Sequence, residues 1–377
     1  MTANVVITGI GMVTPLGRSA EEVLKRILYS ETAACKPDFE VSKFDCPVCA
    51  AVQDFDAEEY FPENKTLRLM NRDAQMAVVA ARLAMEDAAV RSGEVYPSED
   101  IALFGSTGTA GMSVEEISRV IRYAANDDGS LSLERFGSIA LRRVRPVLTF
   151  RILANMPICF VSIFENIRGP NAVYTPWEGH GAQAVSAGFR AIGRGDVPCA
   201  LVGGCDVKCR ELSFVCLQQL GVFEPWKQYG SGSIPGEGAA FLVLEEETAA
   251  AKRGKRPYAL IRDYVIKSMS DISHLEDIAC SIMSQLRRPG TAPIMIGSGD
   301  GNCLVKTSET RAFERAHLEC RDLLRPKSNM GDLFAAAAPA QVGLAAQLAR
   351  QQEQGQAVIA NCFGYGSEKA AFLLEAM

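Results

Sequence analysis

The chain has 377 residues, of which 48% are hydrophobic and 22% are charged. This composition is ordinary for a folded globular protein and excludes disorder, and the length fits two fused units or one large α/β body. The formal net charge is -6 and the Lys and Arg residues are scattered, which argues against nucleic acid as the main partner because phosphate binding needs a basic face.

The segments that direct a protein to a membrane or a secretory route are not predicted. No apolar run approaches the roughly 18 to 20 residues that span a bilayer. The N-terminus has no basic segment before its apolar run and is typical of a first strand and turn. We therefore expect a cytoplasmic protein with no membrane partner.

The 12 cysteines are expected to be reduced and mostly buried. Cys46 and Cys49 have the spacing of metal ligands, and Cys205 and Cys209 could in principle complete a zinc site. Neither pair follows the spacing of a compact zinc finger or ribbon. We therefore expect no metal and no cofactor.

The first half of the chain alternates strand and helix patterns, which is typical of an α/β fold. A buried strand pattern is followed by an Ala-rich helix that is apolar on more than one face. A second strand enters a Gly-rich loop, and a small-residue helix and a strand ending in Gly-Gly follow later. In order, these segments read VVITGIG, RDAQMAVVAARLAMEDAAV, IALFGSTGTAG, AQAVSAGFRAIGRGD and PCALVGGCD.

The second half repeats the same order of strand, Gly loop, small-residue helix, strand and Gly turn. Its segments read YALIRDYVI, APIMIGSGDGN, FAAAAPAQVGLAAQLARQQEQGQ and AVIANCFGYGS. Such duplication predicts a five-layer α-β-α-β-α body built from two similar halves, with the small-residue helices buried between layers. A charged segment near 245–256 indicates the limit between residues 1–247 and residues 248–377.

The stretch NAVYTPWEGHGAQAV, residues 171–185, predicts a strand that feeds a sharp corner at a helix N-terminus. Many α/β enzymes place a nucleophile at such a corner, because the helix end stabilises negative charge. This corner contains Glu178 and His180 but no Ser, Cys or Thr. The two could form an acid/base pair, or belong to a hydrogen-bonded cluster without chemistry. We favour the cluster, because an acid and an imidazole two residues apart on a turn need not face each other.

Four motifs carry a resemblance to a known family. They are GPN before the corner, EPWKQYGSGSIPGEGAAFLVLEE, KSNMGDLFAAAA and NCFGYGS, and they stand in the family's order between Val5 and Leu374. With the duplicated halves, they resemble the β-ketoacyl-acyl carrier protein synthases of the thiolase fold. The segment from Tyr264 to Pro293 is shorter than is usual in that family.

The resemblance implies a catalytic centre that has lost its reactive groups. Active members carry a Cys whose thiolate accepts the acyl group, two His that stabilise an oxyanion, and a Lys. By this resemblance, Glu178 stands at the Cys position, Ser298 and Asp332 stand at the His positions, and only Lys327 remains. Two buried carboxylates need a partner, and we expect Lys327 to neutralise one of them.

The resemblance also identifies a gate after the last Gly turn, at Phe363 and Tyr365. The chain as a whole is similar to the chain length factors of bacterial type II polyketide synthases or aryl polyene-type synthases. These non-catalytic subunits pair with an active ketosynthase in a heterodimer and meet the acyl carrier protein through that complex. The edge strand near Ala172 to Thr175 is expected to continue the sheet across the subunit interface.

Two alternative functions remain open. One is a malonyl-carrier protein decarboxylase that supplies a starter unit, although relatives of that kind need the missing His pair. The other is a diverged, standalone acyl-condensing enzyme with new chemistry.

The Gly loop GTAGMSVEEISRV predicts a helix that begins after Gly111. Met112, Glu115 and Arg119 would then share one face, because they lie three, four and seven residues apart. By resemblance to chain length factors, this face lines the partner's acyl tunnel and sets chain length. The alternative is a solvated helix face.

Overall fold

The computed structural model describes residues 3–109, 113–144, 148–269, 272–288, 292–299 and 303–377. Its strands are β1 Val5–Val13, β2 Ile101–Thr107, β3 Asn171–Tyr174, β4 Cys199–Val207, β5 Glu237–Glu246, β6 Ala259–Ser268, β7 Ile294–Ile296, β8 Asp322–Leu324, β9 Ala357–Cys362 and β10 Glu368–Glu375. Its helices are α1 Ala20–Leu28, α2 Arg72–Ala88, α3 Val114–Ala124, α4 Leu133–Arg135, α5 Leu141–Arg143, α6 Leu148–Ile152, α7 Met156–Phe164, α8 Glu178–Gly193, α9 Glu211–Gln219, α10 Glu224–Tyr229, α11 Glu247–Lys252, α12 Leu275–Leu286, α13 Cys303–Arg315, α14 Pro326–Met330 and α15 Ala337–Ala349.

The strands form a sheet in the order β3-β2-β4-β5-β1-β6-β10-β9-β7-β8. This order is symmetric about the β1–β6 pair, so each strand of the first half has a counterpart in the second. The pairing directions agree as well: β2 lies parallel to β3 and β4, and β7 lies parallel to β8 and β9. The duplication that the sequence predicts is therefore present in the hydrogen bonding of the sheet.

Helices α8 and α15 pack against each other and contact strands of both halves. Every residue of α15 is buried, which its Ala-rich sequence permits because small side chains let backbones approach closely. A Cβ added at Gly181 of α8 would lie only 2.6 Å from the carbonyl oxygen of Ala335. Helix α2 covers the outer side of the first half, and α12 contacts β6 and β10 of the second. The predicted five-layer, thiolase-like arrangement is confirmed.

The segment between the halves is short. Strand β5 ends at Glu246, α11 follows directly, and β6 begins at Ala259. Because β1 pairs with β6, the halves share sheet hydrogen bonds and do not form separate bodies. The division at residues 247 and 248 falls at the start of α11 and stays a prediction.

Within the described ranges, no helix combines the length and the apolar character that crossing a membrane requires. Among the same residues, no group of three or more His, Cys, Asp or Glu side chains is arranged to hold a metal ion.

Candidate functional site

The corner between β3 and α8 places Glu178 at the first position of the helix, where its side chain is only 1% exposed. His180 folds back over the same helix end, and its Nδ1 accepts the backbone N–H of Trp177 at 3.2 Å. The imidazole thus satisfies a backbone donor that the helix leaves free. This contact gives His180 a capping role at the start of α8.

The carboxylate of Glu178 fills the space at the corner. Its Oε1 accepts the backbone N–H of Tyr365 at 3.2 Å. A Cβ added at Gly364 would lie 2.1 Å from the Glu178 Cδ, so the glycine is needed for this close approach. Oε2 is buried and accepts no hydrogen bond from any residue that the structure describes.

A buried lysine that we did not predict lies beside this carboxylate. Lys369 is 1% exposed, and its Nζ donates to the carbonyl oxygens of Gly364, at 2.8 Å, and Gly366. Burial lowers the pKa of Lys369 to about 8, and the negative charge of Glu178 opposes that shift. The signal in the sequence is a lysine directly before the apolar run AAFLL of strand β10, EKAAFLLE.

Lys327 and Asp332 form a buried ion pair, with Nζ and Oδ2 at 2.8 Å and both side chains at most 1% exposed. Lys327 also donates to the carbonyl oxygen of Phe363 at 2.9 Å, and Asp332 Oδ1 accepts the N–H of Phe334 at 2.8 Å. Burial raises the pKa of Asp332 to about 6; Lys327 opposes this shift and Glu178 adds to it. The sequence left open whether Lys327 pairs with Glu178 or with Asp332, and in the structure its ion-pair partner is Asp332.

Ser298 is fully buried and its hydroxyl joins two strands. Its Oγ donates to the carbonyl oxygen of Asn361 at 2.5 Å and accepts the N–H of Phe363 at 2.7 Å. Its own N–H donates to Glu309 Oε1 at 2.8 Å, and Gln341 Nε2 lies 3.4 Å from Oγ. We did not predict Glu309, Asn361 or Gln341, because each comes from a distant element. With these partners, Ser298 connects parts of the core.

The two gate residues have different environments. Phe363 is 1% exposed, whereas Tyr365 is partly exposed and its hydroxyl hydrogen-bonds the Ser233 hydroxyl. The Tyr365 ring stacks on Phe334 with centroids 6.4 Å apart. The phenol therefore ties the turn after β9 to the segment before β5.

A second buried ion pair lies behind the first. Asp206, at the end of β4, pairs with Lys208, and its Oδ2 accepts the N–H of Ala335 at 3.3 Å. Burial raises the pKa of Asp206. The turn that begins at Phe334 is thus fixed by two hydrogen bonds: Asp332 accepts the N–H of Phe334, and Asp206 accepts the N–H of Ala335.

The proposed chain-length residues lie on or before α3. This helix begins at Val114 because the Ser113 side chain caps it, so it starts later than the sequence predicted. Met112 lies outside the described residues. Glu115 and Arg119 are exposed, but they line different cavities, of about 700 Å³ and about 530 Å³.

Comparison with known proteins agrees with this fold. Residues 2–250 match the family described as "Beta-ketoacyl synthase, N-terminal domain". The 3-oxoacyl-(acyl-carrier-protein) synthase 2 of Synechocystis sp. is 25% identical over 336 residues, which cover 83% of this chain and 76% of the relative. The structure of the ishigamide ketosynthase/chain length factor aligns over 100% of both chains, with 21% identity and a TM-score of 0.77. A second solved structure also aligns over 100% of both chains, with 16% identity and a TM-score of 0.78. It is described as a type II polyketide synthase acyl-carrier protein in complex with its ketosynthase bound to the hexaketide. The chain therefore belongs to the β-ketoacyl synthase family and has its thiolase-like fold.

Proposed function

We propose that this chain is a non-catalytic chain length factor that pairs with an active ketosynthase in type II polyketide or aryl polyene biosynthesis. The observation that carries the proposal is the packing around Glu178. By the sequence resemblance, its carboxylate takes the position of the thiolate of active members, and it is enclosed by the backbone of Gly364 and Tyr365.

Acyl condensation needs a nucleophile, room for the acyl group and donors aimed at the developing oxyanion. A carboxylate cannot hold an acyl chain as a thioester. The groups at the two positions of the missing His residues are also engaged: Ser298 in backbone hydrogen bonds and Asp332 in its pair with Lys327. Under this proposal, neither the nucleophile nor the two imidazoles of the condensing chemistry are present at these three positions.

The surface around the connection from β2 to β3 supports a protein partner. Most of the exposed large apolar side chains among the described residues lie between Val114 and Ile163, including Leu133 at 79% and Leu131 at 60% exposure. Large exposed apolar patches mark interaction sites. Strand β3 ends the sheet beside this region, so its free edge can pair with another strand.

The occupant that fits is an active ketosynthase of the same fold, because an edge strand and an apolar face suit a subunit with a matching sheet. The solved ketosynthase/chain length factor supports such a pair by its likeness in fold. The acyl carrier protein then reaches this chain only through the complex. Within it, Met112, Glu115 and Arg119 are the proposed residues that face the partner's tunnel and set chain length.

The test uses the full chain, alone and coexpressed with a ketosynthase from the same genome. Both preparations are incubated with acetyl- and malonyl-loaded carrier protein, and each subunit is analysed by intact-mass spectrometry. We expect an acyl adduct on the partner only, and no carbon dioxide release from malonyl-carrier protein by the chain alone. A partner with its elbow Cys replaced by Ala is the control, and it should abolish the adduct.

An acyl adduct on this chain, or condensation by the chain without a partner, would contradict the proposal. Failure of the two proteins to copurify under conditions where each is folded would contradict the pairing.

A further inference from the structure

Three thiols, none of which has a role in the proposed function, lie together away from the Glu178 corner. Cys35 and Cys49 face each other across an isolated antiparallel bridge, with N–H to carbonyl distances of 2.8 and 2.9 Å in the two directions. Their Sγ atoms are 3.8 Å apart. The third thiol, Cys209, donates to the carbonyl oxygen of Ala50 at 3.3 Å.

These thiols line the cavity of about 700 Å³ that also reaches Glu115 at the start of α3. Cys49 is 1% exposed, whereas Cys35 is partly exposed and open to small reagents. Hydrogen bonds from Cys209 and then Cys35 lower the pKa of Cys49, while burial raises the pKa of Cys35 and of Cys209. The cluster therefore combines an accessible sulfur with a neighbour whose thiolate is stabilised.

From this geometry we infer that Cys35 and Cys49 are a thiol modification site that closes to a reversible disulfide when a small disulfide or a peroxide enters the cavity. Directly opposed residues of a hydrogen-bonded antiparallel pair have Cα atoms about 5.5 Å apart, which lies inside the range of disulfides. The two sulfur atoms need only approach from 3.8 Å to about 2.0 Å, by side-chain rotation.

With a small disulfide, the Cys35 thiolate attacks one of its sulfur atoms and releases a thiolate, which takes up the proton that Cys35 lost. The Cys49 thiolate then attacks the Cys35 sulfur of the mixed disulfide and releases the second small thiol with the proton of Cys49. Two protein thiols are oxidised and one small disulfide is reduced to two thiols. With a peroxide, the products are the protein disulfide, an alcohol and water.

The other nearby thiol is a poorer partner. Cys46 is fully buried, its Sγ lies 3.2 Å from the carbonyl oxygen of Val48, and burial raises its pKa to about 12. Its thiolate is therefore rare, and its side chain is already engaged.

The disulfide would close the loop of residues 36–48, whose Phe39 and Phe44 pack edge-on against Phe214 with centroids 5.0 and 5.5 Å apart. Ala50, next to Cys49, donates to the carbonyl oxygen of Pro235 at 2.8 Å, and Pro235 forms a bridge with Asp332. Oxidation would thus restrain the segment that supports the buried ion pair.

The experiment treats the full chain with glutathione disulfide under native conditions and maps the product. Trypsin cleaves after Lys43 and separates Cys35 from a peptide that contains Cys46 and Cys49. We expect the intact protein to lose the mass of two hydrogen atoms, a cross-link between these peptides, and full reversal by dithiothreitol. The cross-link should disappear in Cys35→Ser and Cys49→Ser and persist in Cys216→Ser, whose exposed thiol is the matched control.

Persistence of the cross-link in Cys49→Ser would assign it to Cys46 and overturn the proposal. A stable glutathione adduct on Cys35 without a cross-link, or a bond to Cys209, would overturn it as well. Fragment ions of the wild-type cross-linked peptides also distinguish Cys46 from Cys49, so a variant that fails to fold does not remove the test. This experiment does not measure acyl transfer, so its result is independent of the proposed function.

Discussion

The two halves share a sheet topology but differ in the connection between their second and third strands. In the first half, residues 108–170 join β2 to β3; their described part contains the helices α3 to α7 and exposes many apolar side chains. In the second half, residues 297–321 join β7 to β8 through α13, which contributes Ala312 and Phe313 to the buried core. Duplication preserved the strands, and divergence is concentrated in a connection that faces outward.

The buried charges of the centre and the exposed apolar side chains of the long connection lie in different parts of the chain. The second half supplies three of the buried charges of the centre, Lys327, Lys369 and Asp332, and the first half adds Glu178, Asp206 and Lys208. Under the proposed function, the long connection of the first half also supplies the surface on which a partner binds. A substitution in the second half should therefore change stability, and one in the long connection should change association.

The largest effect is expected for Lys327→Met, which leaves Asp332 buried without its ion-pair partner. Breaking a buried pair by removing one member costs about 3–5 kcal/mol of unfolding free energy. Chemical denaturation of the folded chain or complex measures it, with Lys252→Met on the exposed face of α11 as the control. A loss no larger than that of the control would show that Asp332 does not depend on this lysine.

The next effect is expected for Leu133→Glu on the long connection, where the side chain is 79% exposed. A charge placed in an apolar interface should weaken binding of the ketosynthase by about 2 kcal/mol, or roughly thirtyfold, and leave the melting temperature of the free chain unchanged. Leu220→Glu, at 61% exposure outside this connection, is the matched control. Equal affinity of all three proteins, measured by calorimetry, would place the partner elsewhere.

A smaller effect is expected for Gly364→Ala, because the new Cβ would meet the Glu178 carboxylate at 2.1 Å. Overpacking of this kind costs about 1–3 kcal/mol. Adding Glu178→Ala should recover part of the loss, so the double variant should be more stable than the sum of the single changes predicts. Gly193→Ala, where a Cβ meets nothing within 4 Å, is the control, and strict additivity would rule out the contact.

The smallest effect concerns pH and Lys369. Its pKa is lowered to about 8 from 10.5, so burying its charge costs stability below pH 8, and this cost disappears as pH rises toward 10.5. Relative to Lys369→Met, the wild type should therefore gain about 1–2 kcal/mol between pH 8 and 10. Denaturation at several pH values measures the difference, and parallel pH profiles would show that Lys369 is already neutral or solvated.

The sequence predicted the features that depend on local pattern. Gly-rich turns, Ala-rich helices and the order of strands indicated the duplicated fold, and the short separation of Lys327 and Asp332 made their pairing foreseeable. Lys369 and Glu309 were missed, because each acts on residues that only the folded sheet brings near. The start of α3 was misplaced because Ser113, as its cap, was not recognised.

The sealed corner at Glu178 also has an evolutionary consequence. Under the proposed function, a cysteine placed at this position would supply a thiol, but Ser298 and Asp332 would still lack the two imidazoles, and Lys327 would remain paired with Asp332. Any one of these reversions made first would disturb buried hydrogen bonds without restoring turnover. Under the proposed function, we therefore expect a loss of catalysis to act as an evolutionary ratchet, because no single selectable step leads back.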